Sequence, residues 1–187
     1  MTPNWFVAWP VTGLDDLLAD LKHEAPGGLH FLDPADIHVT FTFLGRHDPV
    51  IEGKMVRLLE TLPLSAIEAG TDQLVALPQP RRFSAIAFTL RAGLAEVNAQ
   101  MTKWQARICR EAGAPIDTRA KLPHLTIARP DRRIGAEDRD ATLEWLEQVN
   151  TSPRRVPFHL ERPRLFTWTD RTTERRYRVL DGTPSSS

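Results

Sequence analysis

The chain has 187 residues, 41% of them hydrophobic, and its 24 Lys and Arg are balanced by 24 Asp and Glu, so the formal net charge is zero. That length suits one domain, or two small lobes sharing a core. No run of about 18 apolar residues occurs, so no transmembrane helix is expected, and MTPNWFVAWP has no basic region ahead of its apolar stretch, so no secretory signal is expected either. Cys109 is the only cysteine. It excludes an internal disulfide, disfavours a Cys-rich metal site, reads as a buried small hydrophobe and points to a cytoplasmic location.

In chain order, WFVAW at 5–9 reads as an opening strand. Leucines at 14, 17, 18 and 21 give 13–25 helical spacing, and PGG at 26–28 stops it. Residues 37–44 alternate: His38, Thr40 and Thr42 on one face, Val39, Phe41 and Phe43 on the other. A half-buried strand results, with its polar face toward a cleft and Phe41 and Phe43 in the core. Residues 49–62 form a second helix and 65–77 an extended segment. FSAIAFTL at 83–90 is a strand, 93–112 a long helix, PHLTIAR at 123–129 a strand, and 137–149 a helix with an acidic start that suits its macrodipole. VPFHLERPRLFTW at 156–168 and RRYRVL at 175–180 close as strands, and the tail 182–187 is expected to be disordered. Strand–helix–strand–helix–strand thus occurs twice, which suggests two related lobes with a ligand cleft between them.

The charge is uneven along the chain. Residues 1–80 carry 4 Lys and Arg against 11 Asp and Glu, and residues 81–187 carry 20 against 13. Segment 154–178 holds eight arginines. A basic face for nucleotide or RNA phosphates is one reading, and an ion-paired surface is the other. No His, Asp or Glu cluster has metal-ligand spacing; His23 and His30 are separated by the PGG turn.

The third element of each half carries His, any residue, Thr: His38 with Thr40, and His124 with Thr126. In a strand the two side chains of each pair share a face. Two such strands side by side would set two imidazoles and two hydroxyls around one cleft. Histidine titrates near neutral pH, so one neutral and one protonated ring supply a base and an acid, each contributing roughly 10²–10⁴-fold. A hydroxyl aimed at a non-bridging phosphate oxygen stabilises developing charge by about 2.7–4 kcal/mol. The set needs no metal and suits proton-coupled chemistry on a phosphate.

HVTFTFLG at 38–45 and PHLTIAR resemble the paired motifs of the two-histidine phosphoesterase superfamily, and most of all those of the RNA 2′,3′-cyclic phosphodiesterases, also called 2′-5′ RNA ligases. The resemblance extends to WFVAWP, FLDPADIHVTFTFLG, LPQPRRFSAIAFTL and LFTWTDRTTERRYRVL, and so covers residues 5–180. It implies an α+β fold: a single bilobal domain over 1–181, with two antiparallel sheets facing a central cleft and helices outside. It implies hydrolysis of 2′,3′-cyclic phosphate ends of RNA or nucleotides to 2′-phosphomonoesters, with no cofactor. In that scheme His124 deprotonates the attacking water, His38 protonates the leaving 3′-oxygen, and Thr40 and Thr126 hold the phosphate. The residues themselves do not order the two histidines, and the labels can be exchanged. Arg129 matches the arginine after the family's second motif. In a regular strand it points away from His124 and Thr126, so a bulge or strand end has to turn it into the cleft. Trp168 and the LPH lead-in depart from the family pattern at positions bearing on base preference.

Two other functions share these groups: a nucleotide- or RNA-binding module with little turnover, and RNA ligation as the reverse reaction. The expected partners are RNA ends or nucleotides, with no membrane and a monomer as the default. Trp5, Trp9, Trp104 and Trp145 read as core or lobe interface, Arg81 and Arg82 as a solvated loop or an RNA rim, Thr42 as a structural hydrogen-bond group, and His30, His47 and His159 as surface or capping residues.

Overall fold

The computed structural model describes residues 2–169 and 176–180. The tail 182–187, Arg171 and Arg175 lie outside the described residues. In chain order the elements are β1 (Asn4–Thr12), α1 (Asp15–Glu24), β2 (Leu29–Phe31), β3 (His38–Arg46), α2 (Ile51–Thr61), β4 (Ile67–Leu77), β5 (Ala85–Leu90), α3 (Leu94–Ala112), β6 (His124–Pro130), α4 (Ala136–Thr151), β7 (Pro157–Leu160), β8 (Arg164–Trp168) and β9 (Tyr177–Leu180). The helices form where apolar spacing and stop signals agree. In α1, Leu17, Leu18 and Leu21 are buried, and Ala25, held extended ahead of Pro26, ends the helix. α3 ends at Gly113, whose φ of 71° is the left-handed conformation that glycine adopts without strain. Its N–H donates to Arg110 O and that of Ala114 to Cys109 O, the bonding pattern of a Schellman cap.

Two elements differ from the sequence reading. β2 was not expected; three residues are too few to show a period, yet Leu29–Phe31 pairs antiparallel with the end of β6. Segment 156–168 is two strands. Pro163 cannot donate to a ladder, and the chain changes partners there: β7 pairs with Val11 and Thr12 at the end of β1 and with β4, whereas β8 pairs with the start of β1.

All strand pairings are antiparallel. One group is β3-β1-β8-β9 and the other β2-β6-β5-β4. β7 bridges them on one side, and a single pairing, Val39 with Leu125, joins β3 to β6 on the other. The expected two sheets are therefore present as two strand groups linked into one nine-stranded network. The duplication is visible in the pairings, since each half's first strand lies antiparallel beside its His-x-Thr strand, β1 beside β3 and β5 beside β6. The main core is aromatic and aliphatic; Trp5, Trp9, Phe41, Met55, Phe88 and Ile108 are essentially inaccessible to water. Trp145 is buried, Trp104 packs partly buried against the core, and Cys109 is fully buried.

The charge asymmetry is largely used within the chain. Acidic residues of the first half meet basic residues of the second: Glu24 with Arg154, Glu52 with Arg178, Asp72 with Arg155, and Glu68 with His159. Arg164 pairs with Glu161. Arg162 donates to the carbonyls of Leu59, Glu60 and Leu62 at the C-terminus of α2, which satisfies acceptors the helix leaves open. Five of the described arginines of 154–178 are thus spread over ion pairs and a helix end. His30 pairs with Asp131, and the His47 ring bonds to Leu44 O.

Candidate active site

β3 and β6 meet through the middle residues of their motifs, Val39 and Leu125. An antiparallel register through that pair sets His38 against Thr126 and Thr40 against His124. Each imidazole is oriented the same way: Nδ1 bonds to a backbone carbonyl two residues upstream, Asp36 O for His38 and Leu122 O for His124, each at 2.7 Å. With Nδ1–H as donor, the neutral tautomer leaves Nε2 as the group that accepts or delivers a proton.

Both motif strands are bulged one residue past the threonine. On β3, Val7 pairs with Thr42 and Ala8 with Thr40, so Phe41 is the extra residue; a second shift beyond Phe6 makes Leu44 extra. On β6, Ile86 pairs with Ala128 and Ala87 with Thr126, so Ile127 is extra. An extra residue inverts the alternation beyond it. That inversion corrects the strict alternation expected of 37–44. Thr42 lies at the inner wall of the cleft against α3, buried, with its hydroxyl 3.3 Å from Cys109 Sγ and 3.4 Å from Gln105 Nε2, the structural role expected of it. Phe41 is in the core as expected, but Phe43 is 60% exposed and joins the histidine face, 5.8 Å from the Phe6 ring. The same inversion on β6 turns Arg129 to the side of His124 and Thr126.

A cavity of about 680 Å³ lies against this face, lined by Thr40, Phe43, His124, Thr126 and Arg129 among others. Its outer wall, from the loop before β6, brings in Arg119 and Lys121, which the sequence reading did not single out. Arg119 forks onto Asp117, and Lys121 donates to Thr102. Arg129 Nη1 reaches Ser84 O at 3.4 Å, and its buried Nε has no acceptor among the described residues. Arg81 and Arg82 are exposed in a short 3-10 turn (Pro80–Arg82) beyond the cavity-lining Pro78.

The two histidines differ in surroundings. His38 lies in a second, smaller apolar cluster. Its ring centroid is 5.0 Å from Phe6, 5.4 Å from Phe166 and 5.0 Å from Tyr177, the last edge-on at 88°. Burial pushes its pKa down to about 4, helped by the charges of His124 and Arg129 and opposed by the bond to Asp36 O. The Tyr177 hydroxyl is pushed above its ordinary value, chiefly by burial, although the nearby Arg129 and Arg176 favour its ionised form. Tyr177 and Asp36 also escaped the sequence reading. Their only signals were that Tyr177 is the sole tyrosine and that an acidic residue stands two before the first motif.

No protein-family model and no curated protein sequence matches the chain. Solved structures do. E. coli LigT complexed with 3′-AMP superposes with a TM-score of 0.65 at 14% identity, covering 97% of each chain. TT0787 of Thermus thermophilus gives 0.58 at 17% identity over 95% of each chain, and a structure described as a phosphoesterase gives 0.61 at 13% over 97% of each. The chain has the LigT fold. This likeness to LigT bears out, at the level of fold, the resemblance read from the paired motifs. Further LigT structures hold NADP+, ATP and phosphate. Among the described residues no helix is long and apolar enough to cross a membrane, and no cluster of His, Cys, Asp and Glu has the makings of a metal site.

Proposed function

We propose that this chain is a two-histidine phosphoesterase that hydrolyses 2′,3′-cyclic phosphate ends of RNA or nucleotides to 2′-phosphomonoesters, without a metal or cofactor. The observation that carries the reading is the meeting of the two motifs at Val39 and Leu125, with Arg129 bulged onto the same face. Thr40 and Thr126 donate to the non-bridging oxygens, and the guanidinium of Arg129, with a spare N–H, adds charge. Water attacks phosphorus, the P–O3′ bond breaks, one histidine takes the water's proton and the other protonates O3′. Microscopic reversibility makes 2′-5′ ligation the reverse path. Nucleotide complexes of the LigT structures support a phosphate-bearing ligand.

The burial of His38 favours the exchange of labels that the sequence left open. A ring held neutral down to about pH 4 is ready as the base, which leaves His124 as the acid. The acid limb of kcat/KM then lies near pH 4 and belongs to His38. The deciding experiment incubates wild type, His38→Ala and His124→Ala with nucleoside 2′,3′-cyclic phosphates in EDTA and resolves the products. Wild type is expected to yield the 2′-monophosphate, and each variant to lose several powers of ten in rate, more than the roughly 10²–10⁴ of one proton-transfer step because the pair acts as a unit. Near-wild-type turnover by either variant sinks the assigned site. Tight nucleotide binding without turnover establishes the binding-module function instead.

A further inference from the structure

We infer that Asp36 and Tyr177 are positioning residues that build the site from the closing strand: Asp36 seats Tyr177, and Tyr177 sets both His38 and Arg129. The inference rests on the proposed acid–base role of His38 for its catalytic consequence, and on geometry alone for the rest. Asp36 is buried, and both ends of it are used. Its backbone oxygen accepts from His38 Nδ1 at 2.7 Å and so fixes which ring nitrogen faces the substrate. Its carboxylate accepts the backbone N–H groups of Arg176 at 2.7 Å and Tyr177 at 3.2 Å, where β9 begins. A carboxylate in an apolar cluster is costly unless it is hydrogen-bonded. Here the two bonds fix the register at which the sole tyrosine enters the sheet.

Tyr177 then touches both motifs. Its ring stands edge-on to His38 and packs with Phe6 and Phe166 around the part-buried imidazole. Its hydroxyl lies close enough to the Arg129 guanidinium for that charge to act on it. The ionisable groups facing His38 are His124 and Arg129 from β6 and Tyr177 from β9, while Asp36 meets it through its backbone. The neighbours from β1 and β8 are the hydrocarbon rings of Phe6 and Phe166. Removing the Tyr177 ring therefore opens the packing around His38, and removing only its hydroxyl takes away a polar neighbour of Arg129.

The test follows the His38 ring by NMR pH titration in wild type, Tyr177→Phe, Tyr177→Ala and Asp36→Asn, beside kcat and KM for adenosine 2′,3′-cyclic phosphate. Tyr177→Phe is expected to keep the wild-type His38 midpoint and raise KM several-fold. Tyr177→Ala is expected to lift the midpoint by about two units toward the ordinary histidine value, and so to reduce kcat/KM at pH 5 by roughly tenfold more than at pH 7. Asp36→Asn keeps one acceptor and falls between Tyr177→Ala and wild type. Identical midpoints in all four proteins overturn the inference, as do identical effects of Tyr177→Phe and Tyr177→Ala. If Asp36→Asn does not fold, the tyrosine pair still decides. If wild type turns over no cyclic phosphate but the midpoints move as described, the positioning stands and the substrate assignment falls.

Discussion

Acidification should unfold this protein partly through one ring. His38 has a folded-state pKa of about 4 against an ordinary value of 6.5. Between those values the unfolded chain binds the proton and the folded chain does not, so stability rises with pH across the window. His38 imposes almost no penalty above pH 6.5, a growing one as pH falls, and a constant one below about pH 4. At 1.36 kcal/mol per unit, the full penalty is about 3 kcal/mol, of which about 2 kcal/mol falls between pH 7 and pH 5. Against a total stability of about 5–15 kcal/mol this is large. The assay is urea unfolding of wild type and His38→Gln at half-unit steps from pH 7.5 to 4.5. Glutamine does not titrate, and its amide can still donate to Asp36 O. Other titrating groups act alike in both proteins, so the difference between the curves isolates His38. Wild type should lose about 2 kcal/mol more than the variant between pH 7 and pH 5. Parallel curves would mean that the ring is hydrated and that the aromatic wall around it does not exclude water.

The bulge on β3 predicts opposite fates for two phenylalanines that plain alternation treats alike: Phe41→Ala should cost about 3–5 kcal/mol and Phe43→Ala less than about 1 kcal/mol in urea unfolding, and the reverse order would refute the register. Arg162→Ala leaves the carbonyls of Leu59, Glu60 and Leu62 without their charged donor, so a loss of about 1–3 kcal/mol with unchanged kcat is expected; a melting temperature equal to wild type would show that water caps α2 equally well.

The fold was legible where the period was long or the punctuation strong. All four helices were, because Leu17, Leu18 and Leu21 in α1, or Val97, Met101 and Ile108 in α3, repeat over several turns and end at PGG or glycine. The motif strands were legible by type and place, and they pair with each other at Val39 and Leu125. What alternation could not show is where it breaks. A bulge is chosen by the neighbouring strand's register, and nothing in HVTFTF marks Phe41 as the extra residue. For that reason Phe43 was placed on the wrong face, and Arg129 was legible only as an arginine in need of a bulge. β2 and the Asp36–Tyr177 link were hidden for a related reason: three residues carry no period, and a bond spanning 141 positions leaves no local trace.

The two bulges also explain how a duplicated backbone can serve a reaction with two different ends. Counted from each histidine, Phe43 and Arg129 occupy the same motif position, and the extra residue ahead of each swings both onto the cavity face. One half thereby supplies a ring and the other a cation, and on the proposed reading that cation meets the phosphate. The histidines diverge in the same manner. Their Nδ1 bonds are alike, and what differs is the layer behind them: Phe6, Phe166 and Tyr177 close over His38, whereas the His124 motif lies along the cavity. Phe166 and Tyr177 come from β8 and β9, strands outside both motifs, so replacing the Tyr177 ring should raise the His38 pKa and, on the proposed mechanism, weaken the reaction at low pH while every motif residue stays in place.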